Sequence, residues 1–231
     1  MMQPIDYLSP DVPPELPWYE LPIVIATPES LKGYGQLVDD YRNFPIEIVT
    51  WPAQGWRPID IDTGNQGGTI TGNFDVWWEG DFLYGRNQAV NDRYLFGWSK
   101  NPGEAQKIPQ EKLDRSCVLL WHINYHPDSG QLFFPLNSSP FVVPLALAGD
   151  DVKPEDFKAF YFDGTQGLYI HPNIWHEGIF PLTPEASFYD CQGKVHARVS
   201  CNIAQEFGLF LSVPLKKWRF GKGRVNRISL Q

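Results

Sequence analysis

The apolar residues of this 231-residue chain come in short aromatic and β-branched runs, cut every few positions by Gly, Pro, Asn or Asp. Twenty glycines and 21 prolines supply most of the breaks. Such punctuation leaves little room for long helices, because proline removes a backbone donor and glycine gives up backbone entropy in a helix interior. The runs at 46–51, 73–79, 81–84, 118–125, 141–148, 157–162, 167–170 and 195–204 read as strands, a number that suits a β-sandwich or barrel. Gln192-Gly193-Lys194 reads as a hairpin tip between two of them. One N-terminal helix is expected, at 28–40, with few other short helices: Thr27 can cap it, Pro28 suits its first position, and Leu31, Tyr34, Leu37 and Val38 give it an apolar face.

Apolar content of 42%, with 15% aromatic residues, excludes a disordered chain and supports one sizeable core. A single domain over 1–231 is expected: an extended arm at 1–26, a barrel core at 27–204 with an insertion near 45–80, and a basic extension at 205–231. The arm follows from Pro4, Pro10, Pro13, Pro14, Pro17 and Pro22, which disfavour a helix or an interior strand. A net charge of −8 disfavours nucleic acid as a partner. No apolar run approaches the length of a membrane span and the acidic start has no signal-peptide pattern, so a cytoplasmic protein is expected. The acidic arm and the basic tail from Lys216 suit contact with each other across a homodimer.

Four of the five histidines fall in two segments, 121–127 and 170–177. Imidazole both ligates divalent metals and titrates near neutral pH, so two converging histidine segments make either a metal site or an acid–base pair. His122, Asn124 and His126 share one face if their strand is regular. Gln131, after the Pro127-Asp128-Ser129-Gly130 turn, can return on the neighbouring strand, and His176 is the fourth candidate. This arrangement resembles that of a cupin site, where strands of a small barrel aim side chains into a common mouth. His122, His126, Gln131 and His176 are therefore the candidate ligands of one divalent ion (Ni, Zn, Mn or Fe), held weakly because neutral amides stand where stronger ligands are usual.

Leu119 through Leu182 resembles the core of the ureidoglycolate lyase family. The resembling residues are His126-Pro127, Gln131, Phe133 and Pro135, then 142–147 followed by Gly149-Asp150-Asp151. Phe160, Gly164, Gln166-Gly167, His171, Asn173 and Trp175-His176 continue the series. Upstream, 27–35 resembles the family's first helix and 87–94 its Asn-rich segment before Arg93-Tyr94. The resemblance implies a cupin-like β-barrel or sandwich that splits ureidoglycolate into glyoxylate and urea. It implies His126 and His176 as catalytic groups and Arg93, Tyr94, Gln131 and His171 as contacts to a small carboxylate substrate, and Glu177, whose carboxylate can accept a proton, is a secondary catalytic candidate. Glu177 departs from the family, which commonly has a second histidine there. Two alternatives follow from that departure and from the amide positions: a cupin enzyme for another hydroxy, keto or sugar acid, and a non-catalytic binding protein.

Overall fold

The computed structural model describes residues 5–64, 66–108 and 113–215. The chain is mainly β. Strands β1 (Trp18–Glu20), β2 (Ile23–Ile25), β3 (Gly35–Val38), β4 (Gln66–Glu79), β5 (Phe82–Asn87) and β6 (Asp92–Trp98) precede the histidine segments. These are followed by β7 (Cys117–Leu120), β8 (His122–Tyr125), β9 (Gln131–Pro135), β10 (Phe141–Ala146), β11 (Lys158–Phe162) and β12 (Gly167–Ile170). The rest are β13 (Trp175–His176), β14 (Phe180–Pro181), β15 (Glu185–Val195), β16 (Val199–Asn202), helix α1 (Ile203–Phe207) and β17 (Phe210–Pro214).

Ten strands form one sheet in the order β1-β17-β7-β6-β5-β4-β15-β9-β12-β3, and the second runs β16-β8-β13-β10-β11-β2 with β14 paired to β10. The main core includes Phe133, Phe141, Phe160, Trp175, Phe180 and Phe188, all nearly inaccessible to solvent. This is a cupin-like β-sandwich. Among the described residues no helix is long and apolar enough to cross a membrane.

The strands of the proline-rich arm join the sheets only at their margins, while Tyr7 reaches further in and accepts a backbone hydrogen bond from Leu95 of β6 (2.8 Å). β1 lies parallel to β17 and β2 parallel to β11, each as an edge strand, where a residue without a backbone donor is tolerated. The region at 45–80 is not wholly peripheral, since β4 stands between β5 and β15 in the larger sheet. The start of the expected C-terminal extension is likewise part of the larger sheet, because β17 (Phe210–Pro214) fills a place between β1 and β7. The basic run from Lys216 lies outside the described residues.

Three local expectations are corrected. The helix at 28–40 is a single turn. Its capping chemistry is present, with Ser30 N donating to Thr27 Oγ1 (3.1 Å) and Thr27 N to Ser30 Oγ (2.9 Å). Gly33 then takes a left-handed φ of 88°, and the following residues join β12 as β3. Pairing is close there: a Cβ on Gly35 would sit 2.0 Å from the Tyr169 carbonyl oxygen. The hairpin tip at 192–194 is interior to β15, which runs through it against β4 with a register shift between Gly193 and Val195. The strand at 118–125 is two strands in different sheets, divided at Trp121, whose buried indole Nε1 donates to the Leu95 carbonyl (2.9 Å).

Candidate active site

Four segments bring the polar residues together. β8 and β13 pair with Asn124 opposite His176, and β9 and β15 pair with Gln131 opposite Gln192. His126 follows β8 directly, while the link from β15 to β16 carries His196 and Arg198. Between the sheets lies a cavity of about 50 Å³, lined by His126, His176, His196, Arg198, Glu177, Asn124, Gln131, Gln192 and Asn87 on its polar side. Phe74, Tyr94, Phe96, Phe133 and Gly178 make its apolar wall. One water occupies roughly 10–15 Å³ on such a measure, so the space suits a few waters or a small acid. Gly178 is required by packing, since a Cβ there would lie 2.4 Å from the Phe96 ring.

Of the residues singled out in the sequence, His126, His176, Glu177, Gln131 and Tyr94 face this cavity. His122 stands behind it, its Nδ1 donating to Glu177 Oε2 at 2.8 Å. Asn124 Nδ2 donates to the same oxygen at 3.2 Å, so two donors compensate the Glu177 carboxylate. His171 sits against Tyr169, away from the cavity lining. Arg93 belongs to a separate surface depression with Asp75, Trp77 and Arg86, and its guanidinium lies over Trp77. The structure thus does not bring His122, His171 or Arg93 onto the cavity.

Sequence reading missed His196, Arg198, Asn87, Asp190 and Gln192. A signal existed in the alternation of 195–202, where His196, Arg198, Ser200 and Asn202 share one parity. The His196 ring lies 3.6 Å from that of His126, centroid to centroid. Arg198 donates through Nε to Asp60 Oδ2 (2.8 Å), and Tyr7 of the arm covers its guanidinium at 4.4 Å. The same Tyr7 ring meets His122 edge-on at 5.2 Å. The terminal Nη groups of Arg198 have no hydrogen-bond partner among the described residues.

Burial disfavours the charged form of the cavity's histidines. Burial pushes His126 well below the usual imidazole value, and the neighbouring His196 and His176 push the same way. Burial likewise lowers His176, and it takes His196 down to about 3. Nδ1 of His126 donates to Ala197 O (2.9 Å) and Nδ1 of His176 to Ile174 O (2.8 Å). Each neutral ring therefore keeps its lone pair on Nε2. His176 Nε2 lies 3.2 Å from Gln131 Oε1, an acceptor that favours a proton on that nitrogen. Behind Gln131, the fully buried Asp190 accepts from Gln131 Nε2 (2.8 Å) and Asn87 Nδ2 (3.0 Å), while burial raises its pKa to about 7.

These residues fit a divalent ion poorly. Among the described residues no group of three or more His, Cys, Asp or Glu is placed to hold one. His122 is turned to Glu177, which takes one of the four expected ligands out of the set, and Gln131 Oε1, the atom that would ligate, faces His176 Nε2 at 3.2 Å.

A cupin-like sandwich with a histidine- and arginine-lined cavity between its sheets defines the class. Residues 104–206 match the model of the ureidoglycolate lyase family, and this stretch contains the cavity's three histidines, its arginine and Glu177. That part of the chain is similar to the ureidoglycolate lyase family. A ureidoglycolate lyase of Salmonella enteritidis is 35% identical over 63 residues, which cover 27% of this chain and 39% of that enzyme. The same figures hold for the ureidoglycolate lyases of Salmonella newport and Salmonella agona. The chain thus spans less than half the length of the curated relatives it matches.

Proposed function

We propose that the protein is a carbon–nitrogen lyase that splits ureidoglycolate into glyoxylate and urea. The observation that carries this reading is that His126, His176 and Arg198 line one cavity, inside the segment that matches the family. Arg198 takes the role expected of Arg93: its planar fork binds the substrate carboxylate, with Nε fixed by Asp60 and its face by Tyr7.

The reaction moves one proton. The carbinol O–H breaks as the carbonyl forms, the carbon–nitrogen bond breaks, and the departing nitrogen gains the proton. His176 is the general base, because its Nε2 carries the lone pair and Gln131 Oε1 is positioned to stabilise the imidazolium that results. Burial makes that imidazolium a strong acid, ready to give the proton to the nitrogen. His126, whose ring centre is 5.1 Å from that of His176, presents a second lone pair that orients the substrate's hydroxyl or N–H. No step in this scheme requires a metal ion.

Incubation of the purified protein with ureidoglycolate, in chelator and in metal-supplemented buffer, tests the reading. Glyoxylate and urea are expected in equal amounts under both conditions. Absence of both products above the spontaneous rate contradicts it.

A further inference from the structure

We infer that Asn124 and Gln192 form the amide-reading edge of the cavity, recognising a ureido group through one acceptor and one donor. The inference deepens the ureidoglycolate reading and rests on it. Both side chains line the cavity and are more than nine-tenths buried, yet Asn124 Oδ1 and Gln192 Nε2 have no hydrogen-bond partner among the described residues. Buried polar atoms are rarely left so, and two in one cavity call for a ligand or ordered solvent that completes them.

The bonds they do make fix which atoms are left over. Asn124 turns Nδ2 to the Glu177 carboxylate, so its oxygen is the free end. Gln131 directs one N–H to Asp190 Oδ1 and the other to Gln192 Oε1 (2.7 Å), so the nitrogen of Gln192 is the free end. With both its hydrogens engaged, Gln131 has none for a substrate and acts instead by presenting Gln192. A ureido group offers an N–H beside a C=O: the N–H meets Asn124 Oδ1 and the C=O meets Gln192 Nε2. A hydroxy acid of similar length without that group leaves both protein atoms unpaired, and sites built this way reject such analogues strongly.

The test compares oxalurate, which carries the carboxylate and ureido groups but no carbinol hydrogen, with 2-oxopentanoate, which has the same chain length and no ureido group. Calorimetric titration of the wild-type protein is expected to favour oxalurate by about tenfold or more. Gln192→Glu keeps the acceptor for Gln131 and replaces the free donor, so the oxalurate-to-oxopentanoate affinity ratio should collapse toward one. Asn124→Leu should collapse it as well. The ratio cancels any general effect of the new charge on anion binding. Equal affinity of the wild-type protein for the two acids overturns the inference even if neither variant folds, as does a wild-type ratio in a folded variant. Turnover of ureidoglycolate without oxalurate preference sinks this inference alone, whereas oxalurate preference without turnover supports it and sinks the lyase reading.

Discussion

In the proposed lyase reaction Arg198 holds the substrate and His176 transfers the proton, and single substitutions should separate the two. Arg198→Lys keeps a positive charge but loses the planar fork, so KM for ureidoglycolate should rise about tenfold or more while kcat changes less. An unchanged KM would show that the carboxylate is bound elsewhere. The residues that sequence made legible, His126, His176, Glu177, Gln131 and Tyr94, either sit in the two histidine segments or are quoted by the family resemblance. Gln192 and Asp190 were not legible because their direction depends on how β15 pairs with distant strands, and the parity of His196 and Arg198 does not by itself say which side of the fold they face, since that is set by the pairing of β15 and β16 around their link. Arg93 looked like the anchor for lack of that register. It pairs across β5 with Arg86, so its side chain joins a different surface.

The elements outside the family-matching stretch brace the cavity. Tyr7 belongs to the arm and Asp60 to the loop before β4, and both hold Arg198. Tyr7→Ala should therefore raise KM several-fold with the fold intact, as circular dichroism and steady-state kinetics would show. Arg57, in the same loop, is buried between Trp56 and Trp175 and forms a two-pronged bond to Glu206 of α1 (2.8 and 2.5 Å). Arg57→Ala should lower unfolding stability by about 2 kcal/mol, the scale of a charge-assisted hydrogen bond; a denaturant midpoint unchanged from wild type would show that the loop is not anchored this way. Elements were legible wherever local pattern and tertiary pairing agreed, as in β12 and β11. At 28–40 they disagree: Thr27 starts a helix as its capping chemistry requires, but Gly33 and the partnership of Gly35–Val38 with β12 end it after one turn.

The whole molecule stores a pH dependence in its buried titrating groups. Below about pH 6.5 the unfolded chain protonates its histidines, while the folded protein keeps His126, His176 and His196 neutral, the last down to about pH 3. The unfolded state thus binds more protons, and stability falls on acidification from pH 6.5. Asp190 works the other way, remaining protonated in the fold up to about pH 7 when an unfolded aspartate has ionised near pH 4, so its contribution is lost as pH rises between them. Three imidazoles against one carboxyl leave a net rise of stability from pH 5 to 7, about 1 kcal/mol or more per unit, and Asp190→Asn should steepen it. A denaturant midpoint flat over that range would contradict the neutral histidines. The sandwich architecture was readable from strand count and punctuation, whereas the sheet order that closes the cavity rests on long-range pairings such as β15 with β4 and with β9. The claim that buried neutral imidazoles carry the chemistry is tested most directly by kcat for ureidoglycolate cleavage in chelator, comparing wild type with His176→Gln and with the His126→Gln/His176→Gln double variant. The account predicts losses of about a hundredfold or more with KM changed less than about threefold, and wild-type turnover in the folded double variant would contradict it.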